Sequence, residues 1–532
     1  MPVGVCIREI TANSGDTAAV VAGGVTCIVG SNNSGKSQIL RDIHSMLAGN
    51  AEGVALQHIS LNVERATPDE LTEWLDEHVG RIDTAPGQPV QYNPMLNGTQ
   101  RQRDAVISGY TSYDHNPEQG LGAATPFFAL LTTAGQLASI ATQGLGMSGM
   151  AVGTNPVGKL YQDGGLEARL SALSDEAFSL PLTLDRLSAD VRLRVGRVDL
   201  PIPPLNWPTR EYAAAVSRLP SLDVQGDGMK SFLGVALLVL TTGLPILLVD
   251  EPEAFLHPGQ ARTLGRLLAR EAKQQGLQIL LGTHDRDLLL GLVDAPDSNV
   301  TVIRVSREGD STHLHQLSSN EIRELWADPV LRYSNVLQGL FHRAVCVSEG
   351  DADCRFYGAV LDAAASNDRG LRARADDLLF VPSGGKNRVA SLAAALTGLG
   401  VEAWAIVDFD VLRDRSTTTA IVSALGGTWT PENDEQYKAM ARALNERQLW
   451  DSVKSQGLAA VPAGPPTVAA KSLLSDLAQS RCLVVPVGEL EGFNRDIDLH
   501  GPAWVSTMLE REGHKTCFSA RDFVTRLVSR AL

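Results

Sequence analysis

Cysteine is scarce in this chain, and its spacing is as informative as its number. Six residues (Cys6, Cys27, Cys346, Cys354, Cys482 and Cys517) are scattered through 532 positions without a CxxC pair. That excludes a zinc-ribbon spacing and a disulfide framework, and it fits a reduced, cytoplasmic setting. Net basic charge is missing as well. Lys and Arg total 46 against 61 Asp and Glu, a formal charge of −15. This argues against a protein that coats nucleic acid, but leaves room for a local basic groove beside clustered carboxylates. The opening residues, Met1-Pro2-Val3-Gly4-Val5-Cys6, lack the basic region and long apolar core of a secretory signal. No unbroken apolar run reaches the ~20 residues that span a bilayer. The nearest, Ser231 to Val249, is interrupted by Thr241-Thr242-Gly243-Leu244-Pro245 and ended by Asp250-Glu251. It reads as a buried helix, a turn and a buried parallel strand, so no membrane partner is expected. Repeats and long heptad runs are absent too, which excludes a solenoid and a coiled-coil arm.

What is present describes an ordinary globular protein: 44% apolar and 20% charged residues. The chain is too long for a single core, and two to four folding units are expected. Apolar runs alternate with helical patterns, which predicts an α/β fold with parallel strands. Strands are expected at Val25–Val29, Leu244–Val249, Leu277–Leu281 (with Gln278 as an exception) and Val302–Val305, and a helix at Ser37–Leu47. A second block follows, with strands at Ala344–Ser348, Leu378–Val381, Ala403–Val407 and Leu483–Val487. Between about Asn93 and Asp223 the text turns rich in Gly, Ser, Thr and Ala. It reads as an insertion with one strand-like stretch at Val191–Val198. The boundary between the blocks is expected at about Tyr333 to His342.

The loop Gly30-Ser31-Asn32-Asn33-Ser34-Gly35-Lys36-Ser37 fits GxxxxGK[ST] and lies where that chemistry requires, after an apolar strand and before a helix. Backbone N–H groups of Asn32, Asn33, Ser34 and Gly35 then point at phosphates, and the helix N-terminus adds positive potential. Lys36 is expected to reach the β- and γ-phosphates of ATP and Ser37 to ligate Mg2+. Ile246-Leu247-Leu248-Val249-Asp250-Glu251 is an apolar strand ending in two acids, which suits Asp250 to the magnesium ion and Glu251 to polarising the attacking water. Leu280-Leu281-Gly282-Thr283-His284-Asp285 ends another strand in a histidine suited to sensing the γ-phosphate. Gln225-Gly226-Asp227-Gly228-Met229-Lys230-Ser231 is a glycine-containing helix start one helix before the acidic strand. Together these features resemble an ABC-type ATPase head, of the branch that includes the SMC and RecF proteins. The resemblance covers about the first 330 residues. It implies that Gly226 and Gly228 belong to a signature loop closing over ATP in a second head, hence at least a dimer. For the family's Q-loop glutamine, Gln57 and Gln91 are both candidates.

The second block opens on Val345-Cys346-Val347-Ser348-Glu349-Gly350-Asp351-Ala352-Asp353, a strand delivering one carboxylate and, after a glycine turn, another. Ala405-Ile406-Val407-Asp408-Phe409-Asp410 repeats the device. Adjacent strand ends of an open parallel sheet meet in one crevice, so Glu349, Asp353, Asp408 and Asp410 are expected to converge on one or two Mg2+ ions, with Mn2+ as a substitute. Metals ~3.5–4 Å apart stabilise both the attacking and the leaving oxygen of a phosphodiester. Pro486-Val487-Gly488-Glu489-Leu490-Glu491 ends a further strand, and Glu489 or Glu491 is a candidate to complete a metal site. Pro382-Ser383-Gly384-Gly385-Lys386-Asn387-Arg388 offers Lys386 to a phosphate, or is a plain strand–helix turn.

This pattern looks like a TOPRIM domain. Placed behind an ABC-type head, it resembles the overcoming-lysogenization-defect (OLD) nuclease family, whose relatives include the Gabija nuclease subunit. The resemblance implies an ATPase domain over 1–335 (with an inserted region at about 93–223 supplying part of a dimer contact) and a TOPRIM domain over 336–532. It leaves the insertion and the stretch from about Ser416 to Ser480 uncovered. It also implies a late catalytic lysine, for which Lys515 is the candidate by position and Lys471 the other. Catalysis would then rest on Glu251 in the head and on Glu349, Asp408, Asp410 and Lys515 in the second block. The function so implied is ATP-regulated, metal-dependent cleavage of DNA in antiphage defence, within a homo-oligomer and with a possible partner protein. An RNA- or tRNA-cleaving effector of the same architecture is the first alternative. A non-cutting ATPase that senses or bridges DNA ends is the second. None of the eight tyrosines stands in a setting that suggests a topoisomerase nucleophile. Arg101 and Arg103 are either phosphate contacts or a solvated basic loop.

Overall fold

The computed structural model describes all residues except 1–2, 51, 83–84, 86, 95, 97–98, 147–154, 205–208, 297, 318–319, 321–322, 324–334 and 367. The chain divides into two compact units, Met1–Arg323 and Glu324–Leu532. The boundary expected at 333–342 falls partly on residues outside the described ones.

The first unit is built on six strands: β1 (Gly24–Val29), β2 (Ala129–Thr133), β3 (Ile246–Asp250), β4 (Gln278–Gly282), β5 (Val300–Glu308) and β6 (Ser311–Leu317). Their order across the sheet is β6-β5-β1-β4-β3-β2. All neighbours are parallel except the β5–β6 hairpin. Every residue of β1 and β4 is buried, as two-sided coverage of a parallel sheet demands. Gln278, the polar exception in β4, is 1% exposed. Its Oε1 accepts the Ile7 N–H at 2.7 Å, and its Nε2 donates to Ile7 O at 2.8 Å and Val21 O at 3.0 Å. The amide therefore hydrogen-bonds to the antiparallel strand Val5–Ala12, and its burial leaves no group unsatisfied.

The apolar stretch at 231–249 resolves into the helix Asp227–Thr241 and strand β3, turning at Gly243 with φ 61°. Among the described residues no helix is long and apolar enough to cross a membrane. That helix lies against Ala134–Thr142 so closely that a Cβ on Gly234 would stand 2.0 Å from Leu137 O.

One expectation is corrected here. Residues 93–223 are not simply an insertion, because β2 lies among them and pairs in parallel with β3. A five-residue edge strand, Ala-Leu-Leu-Thr-Thr, carries too little apolar text to stand out from its Gly- and Ala-rich surroundings. The rest includes the helix Gly164–Phe178 and the hairpin Leu182–Asp185/Asp190–Val195. That helix is fastened to the helix Pro258–Gln275 by Arg169, whose Nη2 reaches both oxygens of the buried Glu271 at 2.8 and 2.9 Å.

The second unit holds a four-stranded parallel sheet of β7 (Ala344–Ser348), β8 (Leu378–Pro382), β9 (Glu402–Val407) and β10 (Cys482–Val484), in the order β8-β7-β9-β10. Three longer helices, Arg415–Ala424, Pro431–Glu446 and Pro465–Gln479, fill the crossover from β9 to β10. They turn Ile421, Val422, Met440, Leu444, Leu473 and Leu477 inward, so the stretch the resemblance left uncovered is packed helix.

Candidate functional site

In the first unit the P-loop follows β1. Gly30 has φ 157°, and a Cβ there would meet Val305 O at 2.4 Å. Asn33 and Gly35 have φ 61° and 103°. This left-handed backbone is tolerated by glycine and asparagine and turns the loop around the N-terminus of the helix Lys36–Leu47. No acid occupies that helix's first turn, which keeps its positive end free for an anion. Lys36 is 8% exposed, and its Nζ donates to Gly30 O and Ser31 O, both at 2.9 Å. Burial lowers its pKa, against the opposing pull of Glu251, Asp250 and Glu253. Ser34 Oγ is buried without a hydrogen-bond partner. An unpartnered hydroxyl, a buried ammonium and a helix N-terminus facing one loop are the donor set a triphosphate requires, so ATP fits.

Ser37 Oγ lies 3.0 Å from Asp250 Oδ1, and these are the two oxygen ligands expected for Mg2+. Burial raises the pKa of Asp250, with Glu251 adding to the rise. Glu251 has φ 51°, and its N–H donates to Gly282 O at 2.9 Å. Its Oε1 lies 3.2 Å from His284 Nδ1, so the structure brings the expected hydrolytic acid and phosphate sensor together. Gly282 stands level with Asp250 in the sheet, and a Cβ there would lie 3.1 Å from Asp250 Oδ1.

Gly226 caps the helix Asp227–Thr241, and a Cβ on Gly228 would stand 2.4 Å from Phe255 O. The signature-like glycine is thus pressed against the loop that follows Glu251. Gln57 lies on Leu56–Val63 and Gln91 on Gln91–Asn93, both outside the central sheet. Gln136 Oε1 accepts the N–H of Thr133 at 3.0 Å, the capping box that opens the helix Ala134–Thr142. Thr133 is level with Asp250 across β2 and β3. Arg103 pairs with Asp104 at 3.2 Å, and Arg101 lies on the short strand Arg101–Gln102.

In the second unit Glu349, Asp408 and Asp410 each offer a carboxylate oxygen within 4.8 Å of the others. They stand just beyond the ends of β7 and β9, which are adjacent and parallel. The Asp408 N–H donates to Glu349 Oε1 at 3.2 Å. Lys386, exposed at the N-terminus of the helix Lys386–Gly398, places Nζ 3.1 Å from Asp410 Oδ2. The glycine turn before it is tied to the same strand end, with the Gly385 N–H on Glu349 O at 2.8 Å. Burial pushes the Asp408 carboxyl up to about 9, and Glu349, Asp353, Asp410 and Glu489 add to the rise. Glu349 is raised by burial and by Asp410 and Asp353, against the hydrogen bond from Asp408. Acids held so close resist ionising together. Three carboxylates with Lys386 as the one cation hydrogen-bonded to them among the described residues keep an excess of negative charge, and such a set of oxygen ligands fits a hard divalent cation.

Asp353 is not one of the three. Its Oδ2 accepts the Gly350 N–H at 2.8 Å, capping the helix Asp351–Ala365. Glu489 and Glu491 form a separate group with His500, their ligand atoms also within 4.8 Å. Lys454 lies 3.4 Å from Glu489, and the Gly501 N–H is 2.6 Å from Glu491 Oε1. The Phe409 N–H donates to Gly488 O at 2.8 Å, which links the two strand ends. Lys515 is exposed and pairs with Glu512 at 2.5 Å, while Lys471 lines a pocket with Arg526 and Arg530. Lys454 and His500 had no motif to mark them, because folding alone brings them to these acids.

A family model described as "AAA domain, putative AbiEii toxin, Type IV TA system" matches residues 209–291. An uncharacterized protein of Methanocaldococcus jannaschii is 30% identical over 103 residues, covering 19% of this chain and 90% of that protein. The Old nuclease of Escherichia phage P2 is 22% identical over 210 residues, covering 38% of this chain and 33% of the nuclease. This chain therefore spans about a third of the Old nuclease it matches. Among solved structures, an SMC head bound to the C-winged helix domain of ScpA is 15% identical, covers 59% of this chain and 99% of that one, and has a TM-score of 0.35. Its P-loop, its Asp250–Ser37 contact and its likeness to the Old nuclease together support an OLD-family ATPase.

Proposed function

We propose that the chain is an ATP-regulated, Mg2+-dependent nuclease that cuts DNA, acting as a homodimer or higher oligomer in antiphage defence. The observation that carries this reading is the convergence of Glu349, Asp408 and Asp410 at adjacent strand ends, in a unit separate from the P-loop. In this reading the second unit is a TOPRIM domain. Glu349, Asp408 and Asp410 hold the divalent cation, which supplies Lewis-acid polarisation of the phosphodiester and an activated water. Lys386 holds a phosphate oxygen beside Asp410, and Glu489 and Glu491 are positioned to ligate a second cation. In the first unit Lys36 and the loop N–H groups hold the triphosphate, Ser37 and Asp250 hold its Mg2+, and Glu251 orients the attacking water. Likeness to the Old nuclease supports the nuclease reading.

The test is cleavage of plasmid DNA and of total tRNA, in parallel, by wild type and Asp408→Ala with Mg2+ or Mn2+. Loss of plasmid cutting in Asp408→Ala supports the assignment, and cutting of tRNA alone redirects it to RNA. Absence of cutting by the wild type with every divalent cation, with DNA binding intact, replaces it with a non-cutting ATPase.

A further inference from the structure

Glu253 is 5% exposed and lies in the turn that follows β3 and carries Glu251. Its Oε1 accepts the Thr283 hydroxyl at 2.5 Å and the His284 N–H at 3.3 Å. Its Oε2 is buried with no hydrogen-bond partner. Thr283 is itself fixed from both sides. Its N–H donates to Ile28 O at 3.0 Å, and its Oγ1 accepts the Asp285 N–H at 2.9 Å. The Glu253 backbone carbonyl accepts the Leu256 N–H at 2.9 Å, closing the turn. One buried carboxylate therefore fastens the turn after β3 to the end of β4. The His284 ring stands between the two acids, with Nδ1 3.2 Å from Glu251 Oε1 and 3.8 Å from Glu253 Oε1.

Burying a carboxylate is unfavourable unless its bonds repay the desolvation. Here the bonds all run to the residues that place His284. Glu251 needs such support, because its φ of 51° is a conformation that a residue with a Cβ holds only when its surroundings impose it. We propose that Glu253 is a positioning residue for ATP hydrolysis: by tying Thr283 and the His284 backbone to the turn after β3, it sets the His284 ring against the Glu251 carboxylate. This rests on the reading of Glu251 and His284 as the hydrolytic acid and phosphate sensor. Nucleotide binding is carried by the P-loop, which Glu253 reaches through its charge on Lys36 and not through the hydrogen bonds of the tether. Since only Oε1 makes the tether, an amide oxygen in its place preserves it, whereas a methionine of similar volume removes it.

The experiment measures ATP turnover and ATP affinity for wild type, Glu253→Met, Glu253→Gln, His284→Ala and the double variant Glu253→Met/His284→Ala, with thermal melting as a folding control. Glu253→Met is expected to lower kcat by about tenfold or more while leaving the Kd for ATP within about threefold, since misplacing a reacting group costs rate rather than ground-state binding. Glu253→Gln is expected to recover most of the lost rate. The double variant is expected to be no slower than His284→Ala, since the two residues act as one unit. The proposal is overturned if His284→Ala loses rate while Glu253→Met keeps it. It is also overturned if the two losses multiply, or if kcat and ATP affinity fall together with the melting temperature. If His284→Ala turns over at the wild-type rate, the reading of His284 itself is wrong.

Discussion

The Asp408 N–H donates to Glu349 Oε1 at 3.2 Å, so the backbone at the end of one strand orients the carboxylate at the end of its neighbour. In the proposed site the other Glu349 oxygen, with Asp408 and Asp410, would face a cation. Removing one ligand while keeping the side chain's shape isolates this role. Asp408→Asn is expected to weaken Mn2+ binding by about 10–100-fold, read by calorimetric titration of the full chain. Unchanged affinity would place the cation elsewhere.

The pH dependence of stability has a definite sign. Asp408 titrates near 9 in the folded protein against an ordinary 3.8, and Glu349 and Asp353 are also raised, each chiefly by burial. With folded pKa values above unfolded ones, the native state holds protons that the unfolded chain has already released. The contribution of these acids is greatest at low pH and declines as pH rises from the ordinary carboxylate range through about 9. A bound cation takes the protons' place. Mg2+ or Mn2+ is therefore expected to raise the melting temperature more at about pH 8 than at about pH 5, with Asp408→Asn flattening both dependences. Calorimetry across that range checks it.

Lys36 Nζ is held at 2.9 Å by Gly30 O and Ser31 O, a position from which it can swing onto a phosphate. Lys36→Ala is expected to lower ATP turnover by about 100-fold or more and to abolish any effect of ATP on nucleic-acid cleavage. Turnover near wild type would remove the P-loop from the mechanism.

Gly234 lets two helices meet backbone to backbone, since a Cβ there would stand 2.0 Å from Leu137 O. Gly234→Ala is expected to cost about 1–3 kcal/mol through overpacking, lowering the melting temperature of the first unit by several degrees, at about 2–4 °C per kcal/mol. Differential scanning calorimetry reads the change directly.

Legibility in the sequence followed locality. The P-loop, the Asp250–Glu251 strand and the strands ending before Glu349 and Asp408 are short, continuous patterns, and periodicity together with acid-after-strand placement locates them. Strand β2 was hidden because Ala129–Thr133 is brief and sits in Gly-rich text. Glu253, Lys454 and His500 belong to no local motif and acquire their neighbours only through the fold. Glu253 meets Thr283 across 30 positions, and nothing near either residue announces the contact. Asp353 shows the reverse case. Its spacing suggested a ligand, yet the helix it begins uses its carboxylate as a cap on Gly350, the competing role of any acid three residues past a turn.

The central claim is that ATP bound in the first unit controls cutting by the carboxylates of the second. Its most direct test is cleavage of plasmid DNA by wild type, Lys36→Ala and Glu349→Ala, each with Mg2+ and with or without ATP, alongside ATP turnover. The account predicts that wild-type cutting changes with ATP and that Lys36→Ala cuts at one rate regardless of ATP. It predicts that Glu349→Ala loses about 1000-fold or more in cutting while still hydrolysing ATP. Cutting by Glu349→Ala at the wild-type rate would contradict it.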